Sequence, residues 1–280
     1  MNIQNAINEA RKLLKNKDIK SFDLDCEILM CRVIKKDRKY IALNLKKTLN
    51  RDAVRYYKDL IDKRLRRIPI AYLIGKKDFW KFEFKVDHNV LIPRPESELI
   101  VEEVLKLSKN KSKLQILEIG VGSGCIILSI LKEKKSFLGR GIDVCKESLK
   151  VCKDNANKLN LFNRLKLFKS DIDNFHLGKY DLIISNPPYI KSSKIKYLER
   201  DVARFEPRLA LDGGLDGLSE IRKVIKKSSE LIKKNGKFIL EIGFDQKNKV
   251  INLLKKEGFY INSTQKDLAG NDRCIVSTKI

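Results

Sequence analysis

The chain has 280 residues, of which 42% are hydrophobic, and this is enough for two domains of ordinary size with packed cores. No apolar run approaches the roughly 20 residues needed to cross a bilayer. The first residues, Met1 to Asn5, also lack the apolar core of a signal peptide, so we expect a cytosolic protein. Sixty Lys plus Arg against 36 Asp plus Glu give a net charge of +24. That charge would attract polyanions such as RNA, or it reflects a codon supply rich in lysine, so it does not choose the substrate.

The six cysteines do not indicate a metal site or a disulfide framework. No two of them form a Cys-x-x-Cys pair, and only His88 and His176 could add imidazole ligands. Buried or half-buried thiols are the better interpretation, and we predict that the protein binds no metal.

The first 75 residues predict a small helical bundle, because apolar residues recur there at helical spacing. The three series are Ile3, Ile7, Ala10 and Leu14; Leu24, Ile28 and Cys31; and Val54, Tyr57, Ile61 and Leu65. We assign residues 1–75 to a first, all-helical domain with a basic outer surface. This surface serves either packing alone or recognition of a macromolecular substrate, and we assign the domain to substrate recognition.

Residues 76–92 predict a β-hairpin that connects this domain to the rest of the chain. Trp80, Phe82, Phe84 and Val86 alternate with charged residues, which is the two-residue period of a strand with one buried face. Glycine and proline punctuation before residue 76 separates the hairpin from the helices.

A helix is predicted to begin near Pro95, which suits a first helical turn. Glu96 and Glu98 complement the positive end of the helix dipole. Good capping does not explain the preceding Ile92-Pro93-Arg94, and the rigid pair of prolines would frame the mouth of a site.

From residue 113 onward strands and helices alternate, which predicts a doubly wound, mostly parallel seven-stranded sheet in a domain spanning residues 93–280. The predicted strands are Leu114–Ile119, Phe137–Asp143, Leu165–Ser170, Asp181–Ser185, Phe238–Ile242, Tyr260–Thr264 and Cys274–Thr278. One of the intervening helices carries Leu218, Ile221, Ile225 and Ile232 and is predicted to close at the Asn235-Gly236 turn. Ligands of such a sheet lie beyond the carboxyl ends of its strands.

The tetrapeptide Asn186-Pro187-Pro188-Tyr189 follows one of these buried strands. Two prolines cannot donate backbone hydrogen bonds, so the strand stops in a stiff, extended segment. The oxygen of Asn186 and the carbonyl of Pro187 can both accept from a planar NH2 group, while Tyr189 covers its flat face. Asn and Pro are also ordinary turn residues. Their combination after an apolar strand and a glycine-rich loop favours a functional site.

The glycine-rich loop Gly120-Val121-Gly122-Ser123-Gly124 follows the first strand of the sheet and opens an apolar helix. Glycines allow a tight turn and a close approach of the ligand, and the amino terminus of a helix favours electron-rich groups. This pattern alone is weak, because several kinds of nucleotide cofactor use it. Its spacing also departs from the dinucleotide fingerprint, whose third glycine lies one residue later.

Two aspartates follow the next two strands. Asp143 lies about 20 residues beyond the glycines, where a carboxylate accepts from both hydroxyls of a ribose. Asp171 is placed to accept from an adenine amino group, with Ile172 beside it as an apolar cover. Each acid alone would be read as a helix cap or turn residue. Together with the glycine loop and the proline segment, they predict an adenosyl cofactor near a planar nitrogen.

With these motifs the chain resembles the class I, Rossmann-like S-adenosylmethionine-dependent methyltransferases, and most closely the release factor glutamine N5-methyltransferase family of the HemK type. The resemblance covers nearly the full length. It rests on residues 69–75, Phe79-Trp80, residues 91–98 with Arg94, the glycine loop, residues 186–190, residues 205–211 with Glu206, and residues 267–273.

The resemblance implies methylation of the side-chain amide of the glutamine in the Gly-Gly-Gln motif of class I peptide release factors, by a monomer that meets nucleic acid only indirectly. The implied catalytic residues are Asn186, Pro187 and Tyr189. The implied cofactor residues are Glu118, Gly120, Val121, Gly122, Ser123, Gly124, Asp143, Asp171, Ile172 and Asn186, and the implied substrate residues are Asn186, Pro187, Pro188, Tyr189, Arg94 and Glu206. Ile172 stands where the family often has an aromatic residue, and Glu118 where many members have Asp. The donor S-adenosylmethionine would leave as S-adenosylhomocysteine.

Three other functions share parts of this pattern. A ribosomal-protein glutamine methyltransferase would share the catalytic domain. A methyltransferase that acts on an adenine or guanine amino group of DNA or RNA would share Asn186 to Tyr189. An RNA-binding protein with a degenerate methyltransferase fold is opposed by the intact glycines, Asp143 and Asn186.

Overall fold

The computed structural model describes all residues from 1 to 280, which form eleven α-helices and nine strands. The helices are α1 (Ile3–Lys15), α2 (Phe22–Ile34), α3 (Arg38–Leu43), α4 (Arg51–Leu65), α5 (Ile70–Ile74), α6 (Glu98–Leu107), α7 (Cys125–Glu133), α8 (Lys146–Lys158), α9 (Arg200–Phe205), α10 (Ser219–Leu231) and α11 (Lys247–Lys256). The strands are β1 (Lys76–Phe79), β2 (Phe82–Lys85), β3 (Gln115–Ile119), β4 (Leu138–Asp143), β5 (Leu165–Lys169), β6 (Tyr180–Ser185), β7 (Ile232–Glu241), β8 (Phe259–Lys266) and β9 (Asp272–Lys279).

The chain forms two compact units. The helical unit comprises residues 1–75 together with residues 199–205, and the sheet unit comprises residues 76–198 and 206–280. The β1–β2 hairpin is thus part of the sheet unit. None of the eleven helices combines the length and the hydropathy that a bilayer crossing would require.

The helical unit packs α1, α2 and α4 around one apolar core. Ile3, Ile7, Ala10 and Leu14 all lie in that core, as their spacing predicts. Helix α2 forms where it was predicted but buries a different face. Its Leu24 is 44% exposed, whereas Asp25, Cys26, Leu29 and Met30 are buried.

A buried ion pair accounts for the face that α2 presents to the core. The guanidinium of Arg64 on α4 donates from Nε to Asp25 at 2.7 Å and from Nη1 to Asp201 at 2.6 Å. Arg64 and Asp25 are 4% and 2% exposed. A charge in a core must be paired, so Asp25 has to point inward, and apolar spacing alone does not reveal such a constraint.

The sheet unit contains seven strands in the order β5-β4-β3-β6-β7-β9-β8, in which β9 alone runs opposite to the other six. All seven predicted strands are present. Alternate residues of the central strands face opposite sides: Ile116 and Leu182 pack with α6, α7 and α8, whereas Leu117 and Ile183 pack with α10 and α11. Strand β3 lies between β4 and β6, so the connections that follow β3 and β5 run to opposite sides of it. This reversal of strand order opens a crevice at the carboxyl ends of β3 and β6.

One predicted helix boundary is wrong. Helix α10 ends at Leu231, and Ile232, predicted as helical, already belongs to β7 and pairs with Tyr180. Asn235, with φ of 63°, and Gly236 lie in an irregularity within β7, after which Lys237 pairs with Leu182. The pairing with β6 therefore draws the residues before the turn into the sheet, and the Asn-Gly signal marks a bulge rather than the end of the helix.

Candidate active site

A cavity of about 1030 Å³ lies at the carboxyl ends of β3, β4, β5 and β6. Four successive loops line it, and they contain the signals that the sequence places after these four strands. The predicted residues that line the cavity are Arg94, Glu118, Gly120, Val121, Gly122, Ser123, Asp143, Asp171, Ile172, Asn186, Pro187 and Pro188. Gly124, Tyr189 and Glu206 are not among the lining residues.

The glycine loop is held by backbone and side-chain contacts to the neighbouring strand. Gly120 and Gly122 have φ angles of 75° and 51°, and no atom lies within 4 Å of where a Cβ would stand on either. A ligand can therefore approach this backbone closely. Gly124 serves packing instead, because a Cβ there would lie 2.6 Å from the Sγ of Cys152 and 2.9 Å from Leu128.

Asp143, at the end of β4, fixes this loop. Its Oδ2 accepts from the N–H of Gly122 at 2.9 Å, and its Oδ1 accepts from the N–H of Cys145 at 2.9 Å. Burial raises the pKa of Asp143, against the opposing effect of the backbone N–H groups. Each oxygen retains a lone pair, so the carboxylate can also accept from a ligand in the cavity.

Glu118 lies on β3 and is 1% exposed. Its Oε2 accepts from the N–H of Ile127 at 3.0 Å, which satisfies one of the free donors in the first turn of α7. Burial raises the pKa of Glu118 well above its ordinary value. This carboxyl group thus supports the helix that follows the glycine loop, at the wall of the cavity.

Asp171 and Ile172 form the wall after β5. The Oδ1 of Asp171 accepts from the N–H of Asp173 at 2.9 Å and so begins a short 3₁₀ turn, which is the capping role that an isolated aspartate favours. Ile172 is 8% exposed, belongs to the core beneath the sheet and presents an apolar surface to the cavity.

The proline segment meets a buried polar cluster. Asn186 donates from Nδ2 to the hydroxyl of Ser97 at 3.0 Å, and Ser97 donates to Oε2 of Glu241 at 2.6 Å. The hydroxyl of Tyr189 lies 3.4 Å from Oε1 of the same carboxylate. Burial, followed by the nearby charge of Glu241, raises the pKa of Tyr189. Tyr189 thus turns its hydroxyl toward Glu241, at the end of β7.

Arg94 and Glu206 form an ion pair at the edge of the cavity. Glu206 is 6% exposed, and its other oxygen accepts from the N–H of Ile92 at 3.1 Å. Since both oxygens of Glu206 are engaged, this geometry favours a role in holding the Ile92-Pro93-Arg94 segment. Arg94 itself lines the cavity, with a third of its side chain exposed to solvent.

Sequence reasoning missed three residues that support this site: Ser97, Glu241 and Gln246. Gln246 is 5% exposed and donates from Nε2 to the carbonyls of Tyr189 at 3.0 Å and Gly217 at 2.9 Å. Glu241 ends a central strand, as Asp143 does, so the same strand-end signal would have found it. Nothing in the spacing of Ser97 or Gln246 distinguishes them from ordinary helix-terminal residues.

Comparison with known proteins gives matches along nearly the whole chain. Residues 5–75 match the family described as the PrmC N-terminal domain, and residues 96–216 match the methyltransferase small domain. A release factor glutamine methyltransferase from Caulobacter vibrioides is 37% identical over 271 residues, which cover 96% of this chain and 94% of that protein. One from Clostridium acetobutylicum is 35% identical over 282 residues, which cover 100% of this chain and 99% of that protein.

A solved methyltransferase structure from Pyrococcus furiosus is similar in fold. It has a TM-score of 0.53 at 18% sequence identity, and the match covers 78% of this chain and 98% of that chain. At this identity the likeness bears on the fold alone. It agrees with the mostly parallel seven-stranded sheet described above.

Proposed function

Because the chain belongs to the release factor glutamine methyltransferase family, we propose that it transfers a methyl group from S-adenosylmethionine to the side-chain amide nitrogen of a glutamine in a peptide release factor. The acceptor is the glutamine of a Gly-Gly-Gln motif in class I release factors. The observation that carries this proposal is that Asn186 and Pro187 line the same cavity as the glycine loop and Asp143.

The residues of the cavity fit an adenosyl cofactor. The open backbone at Gly120 and Gly122 leaves room for the cofactor beside the amino terminus of α7, and Asp143 has lone pairs left for the ribose hydroxyls. Ile172 offers an apolar surface for a flat base, and Glu118, Val121 and Ser123 complete this side. When bound, S-adenosylmethionine supplies a methyl group made electrophilic by its sulfonium.

Asn186 and Pro187 act on the acceptor. An amide nitrogen is a poor nucleophile, because its lone pair is delocalised into the carbonyl. The oxygen of Asn186 and the carbonyl of Pro187 accept from its two N–H bonds, which aims the nitrogen and stabilises the positive charge that develops on it. Positioning of this kind is worth up to about 7–11 kcal/mol. The methylated nitrogen is cationic and strongly acidic and then releases one proton to water, so no general base is needed beforehand.

The helical unit recognises the body of the release factor in this proposal. Its match to the PrmC N-terminal domain and its many exposed basic side chains support a role in binding a large substrate. In this proposal residues 1–75 serve recognition, residues 93–280 apart from residues 199–205 serve catalysis, and residues 76–92, which belong to the sheet unit, form the connector. The enzyme acts as a monomer in the cytoplasm, where release factors function. It does not bind nucleic acid directly and encounters it only where its protein substrate does.

Transfer of labelled methyl groups tests the proposal. The protein is incubated with labelled S-adenosylmethionine and, separately, with a class I release factor, ribosomal proteins and RNA, and the methylated atom is located by mass spectrometry. We expect the label on the Gly-Gly-Gln glutamine. Asn186→Ala should lower kcat by two orders of magnitude or more, as roughly expected when a preorganised polar contact is lost, with cofactor affinity retained. Label on a ribosomal protein or on a base amino group would overturn the proposed acceptor.

A further inference from the structure

Ser97 and Glu241 are buried residues to which the proposed reaction, as described above, assigns no role. We propose that they are positioning residues that determine which end of the Asn186 amide faces the acceptor. This inference deepens the proposed function and rests on it, since it concerns the same amide-binding site.

The contacts form one continuous path from the cavity into the protein. The Nδ2 of Asn186 lies 3.0 Å from the hydroxyl oxygen of Ser97, which lies 2.6 Å from Oε2 of Glu241. Ser97 and Glu241 are 3% and 2% exposed, so bulk water does not compete for these groups. Asn186 and Ser97 both line the cavity, and the half-buried Asn186 is the most exposed member of the path.

The number of hydrogens that each group can donate fixes the order of donors and acceptors along this path. A serine hydroxyl has one hydrogen to donate, and Glu241 in its ionised form can only accept. The hydrogen of Ser97 is therefore committed to Glu241, which leaves only lone pairs toward Asn186. The amide nitrogen of Asn186, which donates, then faces Ser97, and its oxygen is left for the cavity.

This order decides whether Asn186 can hold the acceptor. The acceptor's NH2 group has hydrogens to donate, so it needs an oxygen opposite it. A reversed Asn186 would set its own NH2 against the substrate's NH2, and its oxygen against the lone pairs of Ser97. Asn186 alone cannot prevent this reversal, because the two ends of an amide have nearly the same shape.

Separate elements hold the members of the path. Ser97 ends the short 3₁₀ turn Pro95–Ser97, and its N–H donates to the carbonyl of Arg94 at 3.1 Å. Glu241 lies at the end of β7, where it pairs with Cys274 on β9. Neither residue depends on Asn186 for its place, so their hydrogen bonds can impose an orientation on it.

Activity measurements on Ser97 variants give the first test. Ser97→Ala should lower kcat on a Gly-Gly-Gln peptide about tenfold, the size of one net hydrogen bond, with KM for S-adenosylmethionine unchanged. Ser97→Thr retains a hydroxyl and should recover most of this loss. The matched control is Ser108→Ala, which removes another buried serine hydroxyl near the end of α6, bonded to the carbonyl of Val104 at 2.6 Å. Equal losses in Ser97→Ala and Ser108→Ala would overturn the proposal.

A double-mutant cycle separates positioning from general support of the fold. In the Asn186→Ala background, Ser97→Ala should have no further effect on kcat, because the group that it orients is already absent. Glu241→Gln can be run through the same cycle, with the buried Glu103→Gln as its control. Losses that multiply in the double variants would show that these residues act independently of Asn186, and the proposal would fail.

A readout that needs no turnover distinguishes failure of this inference from failure of the proposed function. In the ¹⁵N-asparagine-labelled protein, the side-chain NH2 signal of Asn186 is identified by its loss in Asn186→Ala. One of its protons should exchange slowly with water in the unaltered protein and faster in Ser97→Ala. Fast exchange in both proteins would overturn the inference even if glutamine is methylated. Slow exchange of this Asn186 proton in a protein that does not methylate glutamine would instead contradict the proposed function.

Discussion

Asp143 has two roles in this structure, and its substitution affects both. It accepts from the N–H groups of Gly122 and Cys145, and it faces the cavity. The glycine loop therefore depends on the same carboxylate that we propose binds the ribose. A substitution at this position should disturb cofactor binding through the backbone as well as through direct contact.

We predict that Asp143→Ala weakens S-adenosylmethionine binding by about tenfold for each hydrogen bond lost, because buried donors are left without an acceptor. Isothermal titration calorimetry measures this change. Asp143→Asn retains one acceptor oxygen and should lose less affinity. Asp154→Ala, which removes an acid that is half exposed on α8, serves as the control. Unchanged binding in Asp143→Ala would remove this residue from the cofactor site.

The charged form of Glu241 is destabilised in the folded protein, because the residue is buried. Burial raises its pKa from 4.5 to about 7, partly offset by the hydrogen bond from Ser97 and the charge of Arg273. The titratable and charged groups that face it from the surrounding elements are Glu96, Cys125, Tyr189, Arg273 and Cys274. Near neutral pH both protonation states of Glu241 are therefore populated, and the ionised form, which orients Asn186 through Ser97, predominates only above about pH 7.

The stability of the protein should accordingly depend on pH through Glu241. The pKa of Glu241 is higher in the folded protein than in the unfolded chain. Its contribution to stability is therefore fully present below pH 4.5 and is lost as the pH rises through about 7. At pH 8 the free energy of unfolding is therefore lower by about 3 kcal/mol than it would be if the pKa of Glu241 were the same in the folded and unfolded protein. We expect Glu241→Gln to raise the melting temperature at pH 8 but not at pH 5, while lowering activity. A stability gain of equal size at both pH values would contradict this account.

Residues that follow the pattern of strand ends could be found from the sequence, and residues that depend on a partner could not. Asp143 ends β4, Asn186 directly follows β6, and parallel strands bring their carboxyl ends to one edge. Ser97 becomes important only through Glu241, which lies 144 residues further along the chain. No local spacing encodes such a pairing.

At the scale of elements, the buried ion pair of the helical unit determines how α2 and α4 pack. Arg64 bonds Asp25 and Asp201 while only 4% exposed. Removing one partner of a buried pair leaves an uncompensated charge, which costs far more than losing an exposed pair.

Arg64→Ala should therefore destabilise the helical unit by about 3–5 kcal/mol. Urea unfolding followed by circular dichroism measures this loss. Arg55→Ala is the matched control, because Arg55 also lies on α4 but pairs with Asp52 on the surface, where such contacts are worth about 1 kcal/mol or less. If the two variants unfolded at the same urea concentration, the ion pair would not be a structural determinant.

The alternation of strands and helices made the sheet predictable, whereas the order of its strands was not read from the pattern. Buried parallel strands are largely apolar runs, and β6 follows that rule most closely, whereas β3 contains Glu118 and β4 contains Arg140. The insertion of β9 between β7 and β8 depends on pairing between distant segments. The same kind of long-range pairing moved Ile232 from the predicted helix into β7.

At the scale of the whole molecule, the helical unit should contribute to the recognition of a large substrate but not to the chemistry. A fragment starting at Lys76 should bind S-adenosylmethionine if it remains folded, which a melting curve checks. Its kcat/KM should fall much further on a whole release factor than on a short Gly-Gly-Gln peptide, because remote contacts are available only to the larger substrate. Asp201→Ala in the full chain controls for the loss of contacts around residues 199–205. Equal losses on both substrates would assign the helices to structural support.

Residues 199–205 belong to the helical unit although sheet-unit segments flank them in the sequence. The chain therefore crosses between the units three times, after Gly75, Leu198 and Phe205. This connectivity limits the construction of chimeras between relatives. A cassette of residues 1–75 would carry Arg64 and Asp25 into a new host but leave Asp201 behind. The smallest exchangeable module is thus two separate stretches of the gene, and a recombinant enzyme that inherits both should fold better than one that inherits the first alone.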